Sequence, residues 1–171
     1  MEELVDVLDE RGMYTGKTET RANCSKYGLW HKAVCVFIIN SKEQVLLQKR
    51  SANKKTWPNM WDVTAGGNVL AGEFGFQAII RECKEELGIE LNKNDITFIG
   101  SVISTNKKGD IINNYFSICF SVFSYFKGKV RHWFQIQNSN RTLFVQYFFI
   151  SDGCNYRKYI IPGYNTLVTG K

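Results

Sequence analysis

The sequence predicts an α/β fold: a mixed β-sheet flanked by helices, an α/β/α sandwich. Two observations predict it. Apolar, β-type segments stand on both sides of a single clearly amphipathic helical segment, and Gly, Pro, Asn and Ser clusters punctuate the boundaries. The order strand, strand, helix, strand, strand then favours a sheet with helical cover over a bundle or a β-sandwich.

The elements follow in order. "LVDVLD" (residues 4–9) alternates at period two and reads as a strand, a turn follows at Arg11-Gly12, and "MYTG" begins a second short strand. Residues 1–30 are thus an N-terminal hairpin extension. "AVCVFII" (33–39) is a strand core, "SKEQ" a turn, and "VLLQK" the returning partner. "RSANKKTWPNMW" is a loop whose course Pro58 fixes. "WDVTAGG" is a brief strand ending in the paired glycines Gly66 and Gly67. In "FGFQAIIRECKEELG", Phe76, Ile79, Ile80, Cys83 and Leu87 recur with the rhythm of an amphipathic helix, and Gly88 caps its C-terminus. "ITFIGSVIS" and "IINNYFSICFSVFSYF" are strands, and "RTLFVQYFFIS" reads as one more. No repeat, low-complexity segment or linker divides the chain, so residues 1–171 are expected to form one domain.

Bulk composition excludes several classes. The N-terminus is acidic and is no signal peptide, and no apolar run approaches the roughly 18 residues of a membrane helix, so a cytoplasmic protein without a membrane partner is expected. Five cysteines without a CxxC pair argue against a disulfide framework or a zinc site and for reduced, mostly buried thiols, with Cys83 on the inner face of its helix. The net charge of +6 lies wholly in residues 111–171, which hold seven basic residues and one acid, Asp152. Those cations are dispersed among aromatic residues without a nucleic-acid motif, so a nucleic-acid partner is not expected.

The chemistry concentrates in "GGNVLAGEFGFQAIIRECKEELGI", residues 66–89. On a helix, Glu82 and Glu86 stand four apart and Glu85 beside them, so three carboxylates share one outward face while the apolar residues anchor the other. Like charges so arranged suit either a solvated face or a hard cation, which takes oxygen ligands and keeps waters and substrate phosphates in its shell. The wider pattern decides. Gly67, Glu73, Arg81, Glu82, Glu85, Glu86 and Gly88, with apolar residues at the intervening fixed positions, would coincide by chance with a probability on the order of 10⁻⁶.

This pattern resembles the complete signature of the Nudix hydrolases, over residues 67–89, without departure at a fixed position. The resemblance implies a Nudix-like sandwich and metal-dependent hydrolysis of the diphosphate bond of a nucleoside diphosphate linked to another moiety. By position it implies Glu82 and Glu86 as main ligands of Mg²⁺ or Mn²⁺, joined by Glu85 and the Gly66 carbonyl. Glu85 and Glu86 would serve catalysis, Arg81 would orient a glutamate (Glu73 or Glu85), Glu73 would support the loop before the helix, and Gly67 would permit a tight turn into it. Sheet-edge homodimers are common among the proteins it resembles.

Outside the signature, Lys49 and Arg50 close a strand where cations could meet phosphates, and Trp57 and Trp61 could stack on a base or pack in the core. The segment "KTWPNMWDVTAGGN" also resembles isopentenyl-diphosphate isomerases, but Gly66 and Asn68 stand where that group carries its reactive cysteine and histidine. Isomerisation needs proton donors and acceptors, so hydrolysis is the stronger expectation. His31 is either a relic ligand position or an ordinary strand-end residue. Residues 127–171 are acid-poor and unlike the acidic second helix of the family, which leaves a non-catalytic diphosphate-binding module as the alternative and reads as divergence or a changed reading frame.

Overall fold

The computed structural model describes residues 2–41, 44–53 and 58–123, and the backbone of short strands within 133–144. Strand β1 (Leu4–Leu8) pairs antiparallel with β2 (Tyr14–Thr20) through the expected turn, where Asp9 Oδ1 accepts from the amides of Arg11 and Met13. Helix α1 (Arg21–Tyr27) follows directly. Its Thr20 hydroxyl accepts from Asn23 N at 3.2 Å, and Gly28 closes it in the left-handed region.

β3 (Trp30–Ile39) is the central strand. It turns back through β4 (Gln44–Leu46), with Ile39 opposite Val45, and the chain continues as β5 (Gln48–Lys49), which pairs with β6 (Trp61–Asp62). β7 (Ala65–Asn68) lies antiparallel along β3, placing Gly66 opposite Cys35 and Gly67 opposite Val34. The paired glycines therefore lie inside a strand and not at its end.

After α2 (Gly75–Leu87) and a 3-10 turn at Lys93–Asp95 come β8 (Ile96–Lys108) and β9 (Ile111–Phe123), which pair antiparallel. β9 also runs parallel to β3 from Trp30↔Asn114 to Ile39↔Phe123. One parallel contact among antiparallel ones makes the sheet mixed, as expected. β10 (Trp133–Gln135) pairs with β4, and β11 (Gln137–Asn138) with β12 (Leu143–Phe144). The strand expected at "RTLFVQYFFIS" and the acid-poor segment 127–171, Asp152 included, otherwise lie outside the described residues.

Alternation along β3 divides the core in two. Val34, Val36 and Ile38 meet Ala78, Ile79 and Cys83 of α2 together with Phe120 and Val122. Cys35, Phe37 and Ile39 face the other way, onto Val45, Leu47, Val63 and Cys119, with Trp61 packed against them. Burying each of these large side chains contributes roughly 1.5–3 kcal/mol, so both faces of β3 are secured before any polar contact is counted. Cys24, Cys35, Cys83 and Cys119 are buried, and the Cys35 thiol donates to Cys119 Sγ at 3.3 Å. Among the described residues no helix is long and apolar enough to cross a membrane.

His31 is 1% exposed, and its Nε2 has no hydrogen-bond partner among the described residues. Burial first, then the charge of Arg21, hold its pKa below the ordinary value. The unfolded chain protonates at about 6.5 while the folded imidazole stays neutral to lower pH. Stability is therefore whole above about 6.5 and falls with falling pH until the depressed native pKa is passed. Thermal melts of the wild type minus those of His31→Gln should show this loss below about pH 6.5; parallel curves would refute it.

Candidate active site

Helix α2 starts where Gln77 reaches back to accept the Phe74 amide at 2.9 Å. It stops at Gly88, whose φ of 68° only glycine adopts cheaply and whose N–H returns to the Lys84 and Cys83 carbonyls. Ala78, Ile79 and Cys83 seat it on β3 and β7. Its remaining face carries the acidic residues, and the structure distributes them unequally.

Glu82 does not face out. It is 8% exposed, and its carboxylate lies over Gly67: a Cβ added there would stand 2.1 Å from Oε1 and 2.3 Å from Cδ. This corrects two expectations. The outward face holds Glu85 and Glu86 but not Glu82, because the side-chain-free strip of β7 makes a trough that admits it. Gly67 is extended in a strand, so its role is close approach and not a turn. Burial first, and after it the charges of Glu86 and Glu85, raise the Glu82 pKa against the lowering effect of Arg81. Gly67→Ala should displace the Glu82 carboxylate and weaken divalent-cation affinity by about tenfold, as loss of a positioning contact does. Titration with Mn²⁺ checks this; wild-type affinity in the variant would show that the trough is irrelevant.

Arg81 organises the group. Its Nε and Nη2 meet Glu73 Oε1 and Oε2 at 3.1 and 3.0 Å, a bidentate pair. Nη1 meets Glu82 Oε1 at 2.7 Å and Glu85 Oε2 at 3.3 Å, and Nη2 also donates to the Asn68 carbonyl at 2.9 Å. Glu73 Oε2 in turn accepts the Leu70 amide at 3.0 Å. The guanidinium thus ties α2, β7 and the loop between them, and these contacts, Glu73 first, raise its own pKa further. Burial and the neighbouring charges of Glu86 and Glu82 push the Cys83 thiol up to about 12, so it is no nucleophile.

Glu86 is separate from that hub. Its Oε2 accepts from Gln48 Nε2 at 2.8 Å and from the Gly66 amide at 3.3 Å. Gln48 carried no signal in the sequence; the contact spans 38 residues and belongs to no local pattern. Gly66 thereby lies at the edge of the acidic face. Lys49 is exposed in β5, Arg50 pairs with Asp62 at 2.8 Å, and Trp57 lies outside the described residues.

Among the described residues, no three Asp, Glu, His or Cys side chains stand together so as to hold a metal ion by themselves. The donor chemistry nonetheless fits a hard divalent cation: the ligating atoms on offer are carboxylate and carbonyl oxygens, and Mg²⁺ ordinarily takes one or two carboxylates and completes its shell with water and substrate phosphate.

Comparisons with known proteins agree with this architecture. A family model for the NUDIX domain matches residues 29–151. Nudix hydrolase 3 of Arabidopsis thaliana is 36% identical over 124 residues, 71% of this chain but 16% of that protein. An uncharacterized Nudix hydrolase of Listeria monocytogenes is 46% identical over 87 residues, 51% of this chain and 52% of the relative. An isopentenyl-diphosphate Delta-isomerase of Escherichia coli is 31% identical over 112 residues, 66% of this chain and 62% of the enzyme. The chain thus spans about half the length of the Listeria relative and less of the Arabidopsis one. The crystal structure of DR0079 from Deinococcus radiodurans superposes with a TM-score of 0.59 at 23% identity, covering 78% of this chain and 83% of that one. This chain belongs to the Nudix family.

Proposed function

We propose that the protein is a divalent-metal-dependent pyrophosphohydrolase that cleaves the diphosphate bond of a nucleoside diphosphate linked to another moiety, and that it acts in the cytoplasm. The observation that carries this reading is the Arg81 hub, which fixes an acidic helix face against the Gly66-Gly67 strand. Glu82 and Glu86, with Glu85 and the Gly66 carbonyl, would hold Mg²⁺ or Mn²⁺. When bound, such an ion offsets phosphate charge and makes water more acidic.

The chain's own residues do the rest. Arg81 and Glu73 keep Glu82 and Glu85 in place, and preorganisation of this kind lowers the reorganisation needed during reaction. Glu85, 59% exposed in its side chain, keeps Oε2 on Arg81 and presents its other oxygen toward the side from which substrate or water would arrive. Lys49 would meet phosphate oxygens from β5, with Trp57 and Arg50 completing the substrate side. Isomerisation is the weaker reading: Gly66 and Asn68 carry no titratable side chain, and the Asn68 amide is engaged with Glu3 Oε2 at 2.8 Å.

The test is a screen of purified protein with Mg²⁺ and with Mn²⁺ against nucleotide sugars, dinucleoside polyphosphates, ADP-ribose and oxidised nucleoside triphosphates. Metal-dependent release of a nucleoside monophosphate or phosphate is expected. Stabilisation by metal and nucleotide without turnover of any class would replace the hydrolase with a binding module.

A further inference from the structure

We propose that Gln48 is a positioning residue that fixes the rotamer of Glu86 and aims its second oxygen toward the cation. The inference rests on the reading of Glu86 as a metal ligand and adds an outer partner to it.

Three observations support the assignment. First, Glu73, Glu82 and Glu85 all touch Arg81, whereas among the described residues Glu86 has no Arg or Lys within ion-pair distance. Its hydrogen-bond donors are the neutral Gln48 amide and the Gly66 N–H. Second, both donors meet the same atom, Oε2, so Oε1 keeps its lone pairs. Third, Gln48 sits on a paired strand opposite Asp62, so its backbone is held while its side chain spans to the helix.

The chemistry explains why an amide suits this position. A carboxylate at the exposed end of a helix samples several rotamers, and a ligand held in one of them loses less entropy when a cation arrives. A cationic partner would hold the rotamer equally well but would oppose a divalent ion through like-charge repulsion. A neutral N–H donor orients without that opposition. Arg81 cannot do this work, since its nitrogens are committed to Glu73, Glu82, Glu85 and the Asn68 carbonyl.

The experiment compares wild type, Gln48→Met and Gln48→Lys by titrating Mn²⁺ and counting the free ion by electron paramagnetic resonance, without substrate. Methionine keeps the volume and removes the donor, and thermal melts confirm that each variant is folded. Gln48→Met should weaken Mn²⁺ binding by about tenfold, the usual effect of losing an outer partner, and Gln48→Lys should weaken it further. With a substrate from the screen, kcat at fixed subsaturating metal should fall while KM for substrate stays near the wild-type value. Wild-type Mn²⁺ affinity in Gln48→Met overturns the inference and leaves the metal reading intact. Absence of Mn²⁺ binding by the wild type overturns both, which separates the two failures.

Discussion

Glu86→Gln is expected to lower metal-dependent turnover by about a thousandfold while barely moving the melting temperature of the metal-free protein. The substitution keeps the side chain's size, and its remaining carbonyl oxygen can still accept from Gln48 Nε2 and the Gly66 amide. Fold and packing are thus undisturbed at an exposed position. What disappears is one full negative charge at the place proposed to hold a divalent ion against an anionic substrate. A thousandfold corresponds to about 4 kcal/mol of transition-state stabilisation, within the several kcal/mol that metal-ion catalysis supplies. Steady-state assays with saturating Mg²⁺ and substrate decide it. A variant within about tenfold of wild type would remove Glu86 from the ligand set.

Arg81→Ala should cost about 3 kcal/mol of stability, read as a drop of roughly 6–12 °C in melting temperature for a chain of this size. The guanidinium side chain is 23% exposed and contacts three carboxylates, two of them largely sheltered. Removing it leaves Glu73, Glu82 and Glu85 facing one another without a counter-charge and leaves the Asn68 carbonyl without this donor. The Glu85 contact adds little, since that carboxylate is 59% exposed and screened by water. Arg81→Lys should recover only part of the loss, because an ammonium cannot form the two-point contact to Glu73. Divalent ions should partly rescue the alanine variant by supplying the missing positive charge. An unchanged melting temperature without metal would show that the hub does not hold α2 to β7.

The legible parts of this molecule were those written in local pattern. The rhythm Phe76, Ile79, Ile80, Cys83, Leu87 located α2, Gly88 ended it, and the two-residue alternation in "LVDVLD" located β1. The hairpin after β3 followed from its turn residues. Helix α1 has no legible apolar pattern, although Thr20 and Gly28 flank it as caps. Its seven residues bury Cys24 alone, too little for an apolar period to show, and isolated short helices carry little stability of their own. The acidic face was legible in composition but not in depth. Helical spacing groups Glu82 with Glu86, yet only the pairing of β7 with β3 reveals the trough that draws Glu82 in. Signature spacing pairs Arg81 with Glu73 or Glu85; in the structure it contacts both, with Glu82 besides. Gln48 illustrates the limit: nothing in "VLLQKRS" distinguishes an amide that reaches a distant helix from one that reaches water.

The parallel contact of β3 with β9 has a consequence for how the chain finds its shape. Cys35 and Cys119 lie side by side though 84 residues apart in sequence, and the entire acidic helix falls within the loop their meeting closes. Such closures carry an entropic cost before any contact rewards them, and proteins rich in them fold slowly. Refolding should accordingly show the hairpin of β1 and β2 gaining protection from hydrogen exchange early, with the amides bonded between β3 and β9 protected only in the slow phase.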